Sequence, residues 1–516
     1  MKSMQWARFV ALALAVLALL PACDSEKRKD NPVVIEVDRW YPFSVQLPER
    51  GDDVIREAVL HELNIDLRYS FSTGRSYEWR ASLASRAASG DMPDLIYFFN
   101  MMDYRTARSQ GYIAPLNGVL TIDRIPENLS YITEDLLKLM SDDEGLYYGI
   151  PSGLGPILEG MFIRSDWLDS LGLEPPRTVE EFAEVALAFA ERDPDGNGLD
   201  DTYGFTAGGC MSCQDFWELI SAFMGHTAPD EYLENGELKG GWTSPEYRSY
   251  LAYMEGLMSA GALDPDLVTN DSNRKWQKIV QGQAGIFHAT GYPAEAIREM
   301  KAYNPKAEVA YLPPLTGPAG TGSHWPHIVT TTAVGITAKA ARSEEKLRKM
   351  IELMNWFNGD KGKKLLMFGK EGVNHTVERG KIRILEGKQN EYLDAYSLIG
   401  DRNLFMGDQE IMEAYYPDRQ VQDIVRKMIQ NGGKRGSVYG LGYAQERAQL
   451  IDGLKAYREE MAARFIYGKA RLDDSGWQRY VDAHDLRYGG EAVREVMLDD
   501  LAEGGYLPSS NSERLK

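Results

Sequence analysis

The sharpest chemical pattern in the chain is Asp193-Pro194-Asp195-Gly196-Asn197-Gly198-Leu199-Asp200-Asp201. Oxygen-bearing side chains stand at positions 1, 3, 5 and 9, and Gly198 stands at position 6, where the chain must turn sharply. That is the first part of an EF-hand calcium loop. Position 12 is Gly204, so the Glu that normally closes the shell with two oxygens is missing, and Asp200 or Asp201 must supply the charge. The expected ligands are Asp193, Asp195, Asn197, the Leu199 carbonyl and Asp201. Calcium held this way is structural, because a cage of protein oxygens leaves no open position for chemistry. Without a metal, the same residues make an Asx-rich turn.

A second group of residues has the chemistry of ligand capture. Trp40 and Tyr41 close an apolar strand, and Asn100 and Asp103 follow another. Tyr292 comes just after the Ile286-Phe287 run, Trp325 and His327 lie in a Gly-rich loop at 317–327, and Asn374 and His375 follow the turn at 369–372. Aromatic faces beside short polar groups are what sugar recognition requires. Each of these residues taken singly reads equally well as packing. Trp167, Trp217 and Trp356 sit on helical patterns and are expected in the core. An anionic sugar would need cations, and Arg75, Arg80 and Arg105 lie near candidate strand ends.

Motifs of catalysis are missing. There is no G-x-S-x-G, Walker A, H-E-x-x-H or strand-linked G-x-G-x-x-G. With 77 acidic residues, some carboxylates will stand at glycosidase spacing. A cell-surface glycoside hydrolase or lyase is therefore the alternative to a sugar-binding protein, and a binder of peptides or another non-sugar solute is the third reading. Against the 77 acids stand 57 Lys and Arg, a formal charge of -20 over 516 residues. That excludes nucleic acid or an anionic membrane surface as the main partner, since both demand a basic face.

The first residues set the compartment. Lys2 and Arg8 precede an apolar run at 9–20, the size of a signal-peptide core and too short for an anchor. Leu20-Pro21-Ala22-Cys23 resembles a bacterial lipobox, which implies a signal peptide at 1–22, lipidation of Cys23 and a polar tether at 23–31. This places the chain on the extracytoplasmic face of a bacterial cytoplasmic membrane. Cys210 and Cys213 form a lone CxxC without the second pair that zinc needs. In an oxidising exterior they close a small disulfide loop or remain two thiols.

The elements that must position these groups read as α/β throughout. Apolar strands at 33–37, 65–69 and 94–99 alternate with helical spacing at 53–63 and 79–88, a rhythm that implies a mostly parallel sheet with helices on both faces. Helices are expected at 179–192, 244–259, 344–358 and 445–465, the first opened by a Thr178/Glu181 capping box. In such sheets ligands gather at the carboxyl ends of the strands.

Four segments then carry a family resemblance. Gly90-Asp91-Met92-Pro93-Asp94 resembles the G-x-x-P-D signature of extracellular solute-binding proteins of ABC sugar importers. Tyr148-Gly149-Ile150-Pro151 resembles their Y-G-I-P, placed after a G-x-x-x-P-L-like segment from Gly111 to Leu116. Arg164-Ser165-Asp166-Trp167-Leu168 with Leu171-Gly172, Pro175-Pro176 and Thr178 resembles a third run, and the segment 355–371 a fourth. The likeness is greatest to the branch of lipoproteins that includes LipO-like and alginate-binding proteins. It implies a two-lobed periplasmic-binding-protein-like fold of type II with three crossovers, near 151–156, 330–332 and 369–372. The implied lobes are 32–152 with 333–372, and 153–332 with 373–516. It also implies a monomeric, non-enzymatic receptor that delivers an oligosaccharide to membrane permease subunits. The alginate-binding relatives carry a similar calcium loop whose final Glu is replaced here by Thr202.

Overall fold

The computed structural model describes residues 31–40, 49, 51–72, 76–98, 101–120, 126–130, 132, 137, 140–142, 144–152, 159–208, 211, 214–226, 228–234, 237–290, 293–323, 326–327, 332–388, 392, 396, 408–431, 434–435 and 448–503. The chain opens with β1 (Val33–Trp40), α1 (Val54–Leu63), β2 (Ile65–Ser72), α2 (Ser76–Ser89), β3 (Leu95–Phe98), α3 (Met101–Ser109) and β4 (Gly149–Ser152). Next come β5 (Glu159–Arg164), α4 (Ser165–Leu171), α5 (Val179–Glu191), β6 (Tyr203–Thr206), α6 (Trp217–Met224), α7 (Pro245–Ser259), α8 (Ser272–Val280), β7 (Ala284–Thr290), α9 (Pro293–Tyr303) and β8 (Val309–Leu312). The last part holds β9 (Thr332–Ile336), α10 (Glu344–Asn358), α11 (Asp360–Phe368), the hairpin β10 (His375–Glu378) and β11 (Lys381–Ile384), then α12 (Gln409–Tyr415), α13 (Arg419–Gln430), α14 (Ala448–Ile466), α15 (Asp474–Asp482) and α16 (Gly490–Glu503).

Local chemistry explains the element boundaries. The Asp53 carboxylate caps α1 by accepting from the Arg56 amide at 3.1 Å, and Asn64 ends that helix in the left-handed region. Thr178 caps α5 through the Glu181 amide at 3.2 Å, while Glu181 reaches back to the Arg177 amide at 2.7 Å. Ser244, Asp271 and Ser343 cap α7, α8 and α10 in the same way.

Two sheets organise the molecule. The first has the order β2-β1-β3-β9-β4, with β1 parallel to β2 and β3, and β9 antiparallel to both β3 and β4. The second has the order β8-β5-β7-β6, with β5 antiparallel to its neighbours and β6 parallel to β7. Each sheet is thus mostly parallel with one reversed strand. The reversed strand is in each case the one that arrives from the other sheet.

The chain leaves the first sheet after Ser152 and enters the second at Glu159; it comes back at Thr332. The third passage differs from expectation. The hairpin β10–β11 and α12 stay on the first sheet's side: Tyr415 donates to the Met367 carbonyl at 2.6 Å, Tyr392 to the Asp52 carbonyl at 2.8 Å, and Tyr396 to Asp53. The change of side falls between α12 and α13, because α13 is the helix that packs on β8 and α9. The expected boundary at 372 is therefore one hairpin and one helix too early. A Gly-rich turn marks a bend in the chain, and here the bend caps α11 instead of crossing to the other lobe.

The second core is packed tightly around β7. A methyl group placed on Gly285 would lie 2.1 Å from the Phe189 ring and 2.8 Å from the Trp167 ring. Gly285→Ala is expected to cost at least ~1–3 kcal/mol by overpacking. Urea unfolding checks this: the midpoint should fall with the slope unchanged, and an unshifted midpoint would refute it.

Candidate functional site

The first two passages of the chain join one end of the first sheet to one end of the second. On the first sheet this end holds Trp40, Phe98, Ser152 and Thr332, where the Thr332 hydroxyl donates to the Ser152 carbonyl at 2.6 Å. On the second it holds Glu159, Thr206, Thr290 and Leu312. This is the place the strand-end rule assigns to a ligand.

A buried charged cluster stands at the second sheet's end. Glu159, Met161 and Ile163 alternate onto one face of β5, and His288 and Ile286, the partners of Met161 and Ile163, share that face on β7. Asp215 and Glu218, just before and within α6, meet them. Asp215 accepts from Lys275 Nζ at 2.8 Å and from the Gly208 amide at 2.7 Å, and His288 Nδ1 lies 3.2 Å away. Burial works to raise the Asp215 carboxyl, but the His288 contact and the Lys275 ammonium outweigh it and hold it at about 2. Burial pushes His288 below its ordinary value against the pull of Asp215. Glu218 accepts from the Met161 amide at 2.8 Å. Glu159 is 1% exposed, and neither of its carboxylate oxygens has a hydrogen-bond partner. Burial, with the Asp215 charge behind it, pushes its carboxyl up to about 8.

Sequence reasoning did not single out this cluster. Its signal was a polar residue at an inward position of an apolar strand: Glu159 before Met161 and Ile163, and His288 after Ile286.

The residues that were singled out have varied fates. Trp40 ends β1, half-buried against the Trp79, Phe98 and Tyr104 cluster. Asp103 is buried in α3 and accepts from Arg80 Nε at 2.5 Å, beside a small cavity of about 130 Å³ that Trp79, Gln110 and Tyr112 also line. Arg80, one of the three cations considered for an anionic sugar, is thereby engaged, and Arg75 lies outside the described residues. Asn374 and His375 are buried and hold the end of α11: Asn374 Oδ1 accepts from the Lys370 amide at 3.0 Å, and His375 Nδ1 lies 2.8 Å from the Phe368 carbonyl. His327 belongs to a two-residue strand paired with 434–435. Tyr41, Asn100, Tyr292 and Trp325 lie outside the described residues, as do Cys23, Cys210 and Cys213.

The Asp-rich loop between α5 and β6 is wound on itself. Asp193 accepts from the Asn197 and Gly198 amides at 3.0 Å each, and the Asn197 side-chain amide donates to Asp195 at 3.0 Å and Asp201 at 3.2 Å. Asp193, Gly196 and Gly198 all take positive φ. Burial, aided by the charges of Asp201 and Asp193, raises the Asp195 carboxyl. Thr202 points away, donating to the Phe189 carbonyl at 2.7 Å. Gly204 lies against α5, where a Cβ would stand 2.2 Å from the Ala186 carbonyl oxygen. Neither residue has a side chain available as a ligand, so the loop's remaining oxygen-bearing side chains are those of Asp193, Asp195, Asn197, Asp200 and Asp201, of which Asn197 is hydrogen-bonded to Asp193, Asp195 and Asp201. Among the described residues, no group of three or more His, Cys, Asp or Glu side chains is gathered closely enough to hold a metal as it stands.

The family model described as bacterial extracellular solute-binding protein matches residues 55–364. The chain belongs to that family. It is a family of binding proteins and not of enzymes. Lipoprotein LipO of Bacillus subtilis is 28% identical over 429 residues, covering 79% of this chain and 81% of LipO. The polygalacturonan/rhamnogalacturonan-binding protein YtcQ of the same organism is 25% identical over 268 residues, 52% of each chain. The fructooligosaccharide ABC transporter substrate-binding protein FusA of Streptococcus pneumoniae is 24% identical over 368 residues, 65% of each chain. A solved structure of FusA with kestose superposes with a TM-score of 0.60 at 18% identity, covering 90% of this chain and 98% of that one. An EF-hand mutant of FusA superposes with a TM-score of 0.59 at 17% identity, covering 90% and 98%. The fold of this family member is thus the two-lobed one expected. Among the described residues no helix is long and apolar enough to cross a membrane.

The raised carboxyl of Glu159 predicts how stability changes with pH. Its folded value of about 8 exceeds the unfolded value near ~4.3, so its contribution is full below pH ~4.3 and is lost as pH rises towards 8. The loss is at most ~1.4 kcal/mol per pH unit across that window. In Glu159→Gln this fall should be absent. Urea unfolding of both proteins from pH 5 to pH 8 reads it directly, and parallel curves would refute it.

Proposed function

We propose that the chain is the membrane-tethered receptor of an ABC importer. It captures an oligosaccharide between its two halves and passes it to the permease. The observation that carries this reading is the connectivity: the chain passes from the end of β4 in the first sheet to the start of β5 in the second, and from the end of β8 back to the start of β9. Hinge-like passages that join two lobes let a ligand bias an open–closed equilibrium, and only the closed form would engage the transporter well. FusA, which shares this fold, is named for fructooligosaccharides and is solved with kestose. YtcQ is named for polygalacturonan and rhamnogalacturonan.

Three further parts complete the reading. Lipidation of Cys23 holds the receptor to the outer face of the cytoplasmic membrane through the polar tether, as expected of a relative of a protein named LipO. The receptor acts as a monomer, with no nucleic acid partner. Calcium occupies the 193–201 loop, where it relieves the crowding of like charges on Asp195 and locks the connection between α5 and β6. The ion's role is to stiffen that loop, and the chemistry of capture does not pass through it.

Thermal unfolding of the chain starting at residue 32, against neutral and acidic oligosaccharides, tests the receptor. A ligand at 100 times its Kd should add about 2.7 kcal/mol, a rise of a few degrees, with the sugar recovered intact. No rise with any sugar would overturn the oligosaccharide reading, and a degraded sugar would overturn the binding role. For the metal, 1 mM calcium should raise the melting temperature of the chelator-treated protein but not that of Asp193→Asn. An equal response of the two would remove calcium from this loop.

A further inference from the structure

Among the described residues, Glu159 is the carboxylate whose two oxygens are both buried and both without a partner. A buried polar group left unpaired costs about 1–3 kcal/mol, so such a group in a folded protein calls for an explanation. Its neighbours cannot provide one. From the elements packed around it come His288 on β7, Asp215 before α6, Glu218 on α6 and Lys275 on α8. Lys275 is committed to Asp215 at 2.8 and 2.9 Å, and Glu218 to the Met161 amide. His288 faces Asp215. Among the described residues, the cluster around Glu159 therefore holds three carboxyl groups and one ammonium, which is already engaged; at the same sheet end Asp264, which accepts from Thr206 at 2.7 Å, is paired with Lys278. Glu159 is also the first residue of the strand that receives the chain from the first sheet, at the end where a strand-end ligand would sit.

We propose that Glu159 grips the ligand, accepting hydrogen bonds from sugar hydroxyls, and that it selects neutral oligosaccharides over uronates. This rests on the oligosaccharide reading above and narrows it. A hydroxyl donating to a carboxylate makes a short, charge-assisted bond and favours the ionised acid. A uronate would bring a fourth carboxyl to a cluster whose one ammonium is spoken for, and like charges without a cation repel strongly at low dielectric. Because the free protein holds Glu159 largely protonated near neutrality, hydroxyl binding releases a proton.

Titration calorimetry with kestose, maltotriose and trigalacturonate, at pH 7 in phosphate and in Tris, decides the matter. The expected result is binding of a neutral trisaccharide with proton release, seen as a buffer-dependent enthalpy, and no binding of trigalacturonate. Glu159→Gln should weaken the neutral sugar at least tenfold and abolish the buffer dependence. Proton release by the wild-type protein needs no variant, so a poorly folding substitution does not spoil the test. Binding of trigalacturonate, or neutral-sugar binding with no proton release and an unchanged affinity in Glu159→Gln, overturns this inference while leaving the oligosaccharide reading intact. Failure of these sugars and of the wider thermal panel overturns both.

Discussion

A strand that reaches a sheet from the far half of the molecule must enter at the end from which the other strands leave. That single constraint shapes both sheets. The strands native to each half run towards the crossover end of their sheet, so β9 and β5, which start at it, must run against them. β9 is not an edge strand that could be peeled away: it lies between β3 and β4 and hydrogen-bonds to both. β5 is likewise enclosed by β8 and β7. Each half therefore holds an interior strand whose near end is fixed to a crossover.

The motifs that carry the family resemblance serve this arrangement more than they serve a ligand. Asp94 of the G-x-x-P-D segment accepts from the Glu36 amide at 2.9 Å and from Lys346 at 2.8 and 2.9 Å. It thus ties β1 to α10, the helix that follows the returning strand. Pro93 and Met92 give their carbonyls to Thr337 at 2.7 Å and Lys339 at 3.2 Å. In the second half, Arg164 is buried and pairs with Asp166 through two contacts of 2.6 and 2.7 Å, its guanidinium 4.6 Å above Trp167. Its charge is neutralised where it would otherwise be stranded in the core. Both sets fasten a crossover strand to its host, so these family-signalling residues act as fastenings.

That division explains what could be read from the sequence. Hydrophobic periodicity and caps located α5, α7 and α10 to within a residue or two, because those signals are local. Trp167 and Trp217 were expected in the core and lie there, whereas Trp356, expected with them, is half-buried and donates to Glu62 at 2.9 Å. The third passage was misplaced because Gly369 and Gly372 mark a turn of positive φ, and nothing local distinguishes a turn that caps a helix from one that changes sides. Deciding that took Tyr392, Tyr396 and Tyr415, whose partners are distant in sequence. The polar atoms of Asn374 and His375, expected at a strand end, are used on the end of α11. Glu159 and His288 carried a weak signal, one polar residue in an apolar strand, which gains meaning only when β5 and β7 are seen side by side.

The Asp-rich loop shows how packing limits chemistry. An EF-hand closes its shell with a long acid at position 12, and here that position already belongs to β6. Its residue, Gly204, lies so close to Ala186 that even a methyl group would collide, so a Glu cannot stand there without lifting β6 from α5. Thr202 is likewise spent on the Phe189 carbonyl, which fixes the strand's entry to the helix. The last acid must then come from within the loop, and Asp201 is the residue that reaches back to Asn197. A calcium site here would draw its oxygens from one short loop and so offer fewer of them than a full EF-hand.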